Sequence, residues 1–206
     1  MRERMVRSAV ACVVCALPVF FSAPVPAQDS LPASFKIGPQ GNLTCVGTTE
    51  DTCAFYDEIP DPGGTLYLVQ GSFSRALRPD GDFVNFYFAL LCEREGDVLK
   101  PVFNFLEGRE RASDVHLHDL DGDGRPEIIV AGVFGSRASY AAVYRVVDRK
   151  PVRIFSRRAN SPDADFEVVD GVPSLVFVQR SGGTGASSRA LREVFVWNGK
   201  EFVPES

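Results

Sequence analysis

The chain has 206 residues, of which 45% are hydrophobic, 24% charged and 11% aromatic. This is the profile of a globular protein and excludes a disordered or fibrous one. With 22 basic against 27 acidic residues and a formal charge of -5, no uniform basic field exists to attract nucleic acid or anionic lipid.

Arg2, Arg4 and Arg7 precede an apolar run from Ala9 to Phe21, followed by Ser22-Ala23-Pro24-Val25-Pro26-Ala27. That order is the signature of a cleavable secretory signal, with the cut expected after Ala27. An uncleaved anchor is the alternative, but Pro18 breaks the run and it falls short of the roughly 20 residues a membrane span needs. No later segment is long enough to span, so none is expected after cleavage. Loss of the leader removes three arginines and one glutamate and leaves a more acidic product. Residues 28–44 are rich in Pro, Gly and Ser and show no sustained period, which suggests a linker or loosely packed lead-in.

Cys12 and Cys15 depart with the leader, so their C-x-x-C spacing carries no redox meaning. Cys45 and Cys53 bracket a polar loop and are the expected disulfide in an oxidising compartment, which would contribute on the order of 2.5 kcal/mol if unstrained. Cys92 ends an apolar strand pattern and is expected to be a buried, inert thiol.

From there the alternation is mostly of period two. Residues 65–73, 83–92, 98–105, 127–133, 140–147 and 175–178 are dense in Val, Phe, Tyr, Ile and Leu, and no segment carries a capped helical stripe. In the second of these, Val84, Phe86, Phe88, Leu90 and Cys92 form one wholly apolar face, as in a strand inside a stack of sheets. Gly96-Asp97, Asp148-Arg149-Lys150-Pro151 and Asn198-Gly199 mark turns, the last suited to a two-residue hairpin.

Three segments share one plan of strand, variable loop, strand, tight turn and strand. Leu66–Val69 corresponds to Ile128–Val130 and Leu175–Val178, and Tyr87–Leu90 corresponds to Ala142–Arg145 and Val194–Trp197. A period of about fifty residues with about four strands per unit is the pattern of blade-like β repeats. The expected fold is all-β: three blade-like antiparallel units in a short propeller-like, sandwich or barrel arrangement, with a leader at 1–27, the lead-in at 28–44 and a single repeat domain at 45–206.

The chemistry concentrates in residues 114–130. Asp119, Asp121 and Asp123 alternate with Leu120 and Gly122, and Gly124 follows. Three carboxylates this close repel one another unless a cation sits among them, and the glycines allow the chain to curl. Hard oxygen ligands suit calcium, with the Arg125 carbonyl expected as a further ligand. An EF-hand requires a bidentate Glu at loop position 12, where Val130 stands, so that motif is rejected. Glu127, at position 9, is the remaining acid in reach.

These residues make the segment resemble the FG-GAP and VCBS repeat families, whose calcium loop D-x-D-x-D-G-x-x-[DE] joins two strands of a propeller blade. The match runs through Asp119, Asp121, Asp123, Gly124 and Glu127 into Ile128-Ile129-Val130, within residues 114–147. The resemblance implies a structural calcium loop, with adhesion or ligand binding carried by other surfaces. The first unit keeps only Asp57 and Asp61 in comparable places and the third Asp170 and Gly171, so neither is expected to bind an ion.

Other constellations point to less. His116 and His118, the only histidines, would project from one strand face and could offer two zinc ligands beside Asp114 or Asp119, but a third imidazole does not exist. A solvated or loop-packing pair is the plainer expectation. Gly182–Ser188 lacks the Lys-Ser/Thr ending of a phosphate cradle and reads as a hairpin loop. With Gly135–Ser139 it would form a binding surface if both gather on one edge. No G-x-S-x-G elbow supports a serine hydrolase. Arg149, Lys150, Arg153, Arg157 and Arg158 read as a solvated face around a turn.

The sequence therefore suggests a periplasmic or secreted, non-catalytic β-domain with one calcium loop, acting as an interaction or structural module. Its expected partner is a protein or glycan ligand, or a second copy in a homo-oligomer. The competing expectation is a metal-dependent hydrolase using His116, His118 and a nearby carboxylate.

Overall fold

The computed structural model describes residues 31–47, 52–76, 83–106, 110–134, 138–161, 163–180 and 190–205. The leader, Cys12 and Cys15, and the Gly182–Ser188 loop lie outside them, as does most of Gly135–Ser139. Among the described residues there are only strands and their connections, arranged in three antiparallel sheets.

In the first sheet β1 (Ser34–Ile37) and β2 (Leu43–Val46) form a hairpin, followed by the meander β3 (Thr52–Ile59), β4 (Leu66–Ala76), β5 (Phe83–Glu95) and β6 (Val98–Asn104). Pairing of β1 with β6 gives the order β2-β1-β6-β5-β4-β3. This sheet curls into a half-barrel that brings β2 towards β3. The second sheet comprises β7 (Glu110–His118), β8 (Glu127–Phe134), β9 (Ala138–Val147) and β10 (Lys150–Ala159). The third comprises β11 (Asp163–Val169), β12 (Val172–Arg180), β13 (Ala190–Trp197) and β14 (Phe202–Pro204). Each sheet contains one four-stranded up-and-down meander. The corresponding segments read from the sequence fall on the second strand of each meander and on the third.

Alternation decides how the sheets stack, because successive side chains leave opposite faces of a strand. Ile128 and Val130 face the first sheet, packing with Ile59, Leu66, Leu68, Leu91 and Phe105. Ile129 and Ala131 face the third, packing with Leu175, Phe177, Phe195 and Trp197. All four are 0% exposed. The second sheet is thus buried on both faces, and each aliphatic side chain so placed contributes about 1.5–3 kcal/mol. A further core of Phe35, Val69, Phe88, Leu90, Cys92 and Leu99 fills the curled first sheet.

Three expectations change. The lead-in is not loose: its hairpin completes the first sheet, and Phe35 is fully buried against Phe88 at a ring separation of 5.7 Å. Two four-residue strands are too short to show a period. Asn198-Gly199 is not a two-residue hairpin, since Trp197 pairs with Phe202 across four residues and Asn198 Oδ1 accepts from the amides of Lys200 and Glu201. Both turn residues have positive backbone angles at Asp148-Arg149 and Asp170-Gly171, and Gly96 alone does in the Gly96-Asp97 turn. Nor is the pair Asp123-Gly124 and Asp170-Gly171 structurally equivalent: the first ends a long loop and the second is a whole turn between Val169 and Val172.

Cys92 is buried as expected, and desolvation raises its thiol pKa to about 12. Among the described residues there is no disulfide, so the bridge expected between Cys45 and Cys53 is not shown; the Cys53 side chain lies outside them.

Two outcomes follow. Ile129→Ala should lower unfolding free energy by about 2–5 kcal/mol, whereas Val168→Ala, at a position 49% exposed, should change it by less than about 0.5 kcal/mol; denaturant titration compares them. Cys92 should resist iodoacetamide at pH 8 in the native protein and react once unfolded, as peptide mapping by mass spectrometry would register.

Candidate metal centre

The loop between β7 and β8 is held from both ends. Leu120 drops into the core between the second and third sheets, and its amide donates to Glu127 Oε2 at 2.9 Å. Asp119 organises the rest: Oδ1 accepts from the amides of Gly122 (2.8 Å) and Asp123 (3.1 Å), and Oδ2 from Gly124 (2.8 Å). Gly122 and Gly124 have φ of 74° and 84°, a region costly for side chains with a Cβ. The glycines thus allow three consecutive backbone amides, of Gly122, Asp123 and Gly124, to point at one carboxylate.

Carboxylate oxygens from Asp119, Asp121 and Glu127 converge within 4.8 Å of one another. At calcium–oxygen distances of 2.3–2.6 Å, oxygens up to about 5 Å apart can share one ion, so this donor set fits a hard cation. Three of the five ligand candidates are therefore brought together. Asp123 is not in that group; its Oδ1 accepts from the Arg125 amide at 2.8 Å. The Arg125 side chain is exposed and lines a neighbouring cleft.

The residue that sequence reasoning missed is Arg145. Ile128 pairs with Tyr144 across β8 and β9, which sets Glu127 and Arg145 side by side at the sheet's end. Arg145 Nε donates to Glu127 Oε1 at 2.7 Å and Nη2 to Asp121 Oδ2 at 2.6 Å. The hydrogen bond that Arg145 donates to Glu127 is the main reason its pKa is held above the ordinary value, with desolvation opposing and charge from Glu127, Asp121 and Asp123 adding. Glu127 is only 1% exposed, so its charge needs such a partner. The available signal was positional: Arg145 follows a run of strand residues on the parity of buried Ala141 and Val143.

His116 and His118 do share a face, which is half-buried and, among the described residues, no part of the acidic cluster. Both rings pack on Phe166 of β11, at 5.4 and 5.5 Å, and Nε2 of His116 is buried without a hydrogen-bond partner. Among the described residues neither belongs to a cluster of metal-ligating groups. Val115 and Leu117 leave the opposite face of β7 and pack towards the first sheet. The cationic stretch is not simply solvated either. Arg149 reaches the first sheet, bonding Glu93 and the Gly64 carbonyl at 3.0 Å each, and Arg157 lies 4.6 Å over the Phe195 ring.

Two clefts flank this region. One of about 420 Å³ lies between the β3–β4 connection and the acidic loop, lined by Asp61, Asp123, Arg125, Glu127, Arg145 and Asp148 among others. Another of about 470 Å³ carries Phe55, Asp57, Gln70, Tyr87, Asp114 and His116. Compared with protein-family models, curated proteins and solved structures, the chain matches none of them.

The ion pair generates a prediction for metal-free protein. Glu127→Ala leaves the Leu120 amide and Arg145 Nε unpaired, with Arg145 still bonded to Asp121, and should cost about 2–4 kcal/mol. Asp121→Asn, at an exposed position, should cost less than about 1 kcal/mol. Equal costs in chelator-treated samples, measured by urea unfolding, would contradict the assigned burial.

Proposed function

We propose that the protein is an exported, non-catalytic β-domain whose β7–β8 loop binds calcium and whose surface serves an interaction or structural role. The convergence of Asp119, Asp121 and Glu127 oxygens carries this reading. Asp119, Asp121, Asp123 and Glu127 bring four negative charges, and among the described residues Arg145 is the one side-chain cation paired with them. A bound calcium would supply two positive charges where that surplus stands. Asp119, Asp121 and Glu127 would hold it, and the Arg125 carbonyl and Asp123 remain the further candidates from the loop spacing. The loop joins strands of the doubly buried sheet, so an ion there would tie the sheet's end to its interior.

The FG-GAP/VCBS resemblance supports calcium over other metals, and the leader-like residues 1–27 support export to the periplasm or medium. An interaction role with a protein or glycan is supported by the cleft at Phe55 and Tyr87, where aromatic surface adjoins Asp57, Gln70 and Asp114. The hydrolase reading has weaker support, because Phe166 occupies the space beside both imidazoles.

Thermal unfolding tests the calcium reading. At tenfold excess over the dissociation constant, calcium should stabilise by about 1.4 kcal/mol, an upward shift of about 3–6 °C for a chain of this size. Chelator should reverse it and Asp121→Asn should abolish it. No shift at millimolar calcium would sink the proposal.

A further inference from the structure

Arg145 occupies two of the three carboxylates that would hold the ion. Its guanidinium takes Glu127 Oε1 and Asp121 Oδ2, while Asp119 is held by backbone amides alone. A guanidinium and a divalent cation sharing the same carboxylates would sit within about 5 Å of each other, where like charges repel strongly. Asp119 can serve either state unchanged; Asp121 and Glu127 cannot serve both fully.

We propose that Arg145 is a built-in competitor for the cation position, so that calcium enters only as Arg145 withdraws from Asp121 and Glu127. The inference rests on the calcium reading above and adds how that site is regulated. Metal then replaces an existing ion pair. The loop keeps its shape in metal-free protein, and its calcium affinity is set lower than the oxygen donors alone would give.

The surroundings allow the exchange. The Arg145 side chain is 38% exposed, and it lines the cleft of about 420 Å³ that Asp61 and Asp148 also line. A guanidinium leaving the loop therefore has a cleft to move into, with Asp148 on its wall and Asp61 already paired with Arg149. Glu127 has no such freedom: it is buried and tethered to the Leu120 amide. The mobile member of the pair is the arginine.

The sign of one substitution separates competition from support. If Arg145 merely braces the loop, removing it loosens the carboxylates and weakens metal binding. If it competes, removing it tightens binding while metal-free stability falls. Calcium chloride titrated calorimetrically into the purified wild type and Arg145→Gln should show at least tenfold tighter binding in the variant. Thermal unfolding should show a lower midpoint in chelator and a larger rise with calcium. Arg145→Lys, which cannot bridge both carboxylates as a planar fork, should fall between the two and decides the matter if the Gln variant does not fold without metal. Unchanged or weaker binding in Arg145→Gln, with binding still lost in Asp121→Asn, would overturn the competition and leave the calcium site standing. Absence of binding in wild type and every Arg145 variant would remove both.

Discussion

The two-sided burial of β8 is the constraint from which the site follows. Four consecutive residues, Ile128 to Ala131, send side chains alternately into two different cores, with no face left to solvent. A strand so placed tolerates polar groups only at its ends. Glu127 is its first residue, and because it stands on the parity of Ile129 it enters the boundary of the core between the second and third sheets. A carboxylate there must be charge-compensated and hydrogen-bonded. The Leu120 amide and Arg145 meet that demand, and in meeting it they fold the preceding loop back over the strand end.

The same position in the other two sheets shows why only one loop gathers acids. The connection from first to second strand runs through Pro60–Thr65 in the first sheet and is a bare Asp170-Gly171 turn in the third. In the first, Asp61 Oδ2 accepts from the Gly63 amide at 2.9 Å and faces Arg149. In the third, a two-residue turn has no room to converge several carboxylates. The loop of the second sheet is the longest of the three, and it carries two positive-φ glycines where each of the other two connections has one.

Much of this was legible in the chain. Period-two alternation located β4, β5, β6, β8, β9 and β12, because a sheet inside a stack leaves such strands little freedom of composition, but it did not mark β3, β7, β10 or β11. Asp119, Asp121 and Glu127 were legible because carboxylates at alternate positions beside glycine have few uses. What escaped were features set by distant residues. Phe35 belongs to a hairpin too short to have a period, and its place depends on β6, more than sixty positions away. Arg145 looked like one more strand residue, since its meaning comes from a register between β8 and β9 that no local pattern encodes. The packing of the histidines was not legible for the same reason: Phe166, against which both rings lie, is on another sheet. Asp123 was grouped with its neighbours by spacing, while its carboxylate turns to the Arg125 amide.

Repulsion among crowded carboxylates was the reason to expect a cation at this bend, and the protein supplies one from its own β9. That changes what the acidic loop implies. A guanidinium tethered to the sheet reaches two carboxylates with directional bonds, whereas a small divalent ion can draw oxygens from every side. The tether satisfies buried Glu127 and leaves Asp119 compensated only by amide dipoles. The remaining charge is therefore concentrated on the half of the loop that Arg145 does not touch. Burial fixes where Glu127 must be neutralised, and the unequal reach of an arginine and an ion decides whether the outer carboxylates are neutralised with it.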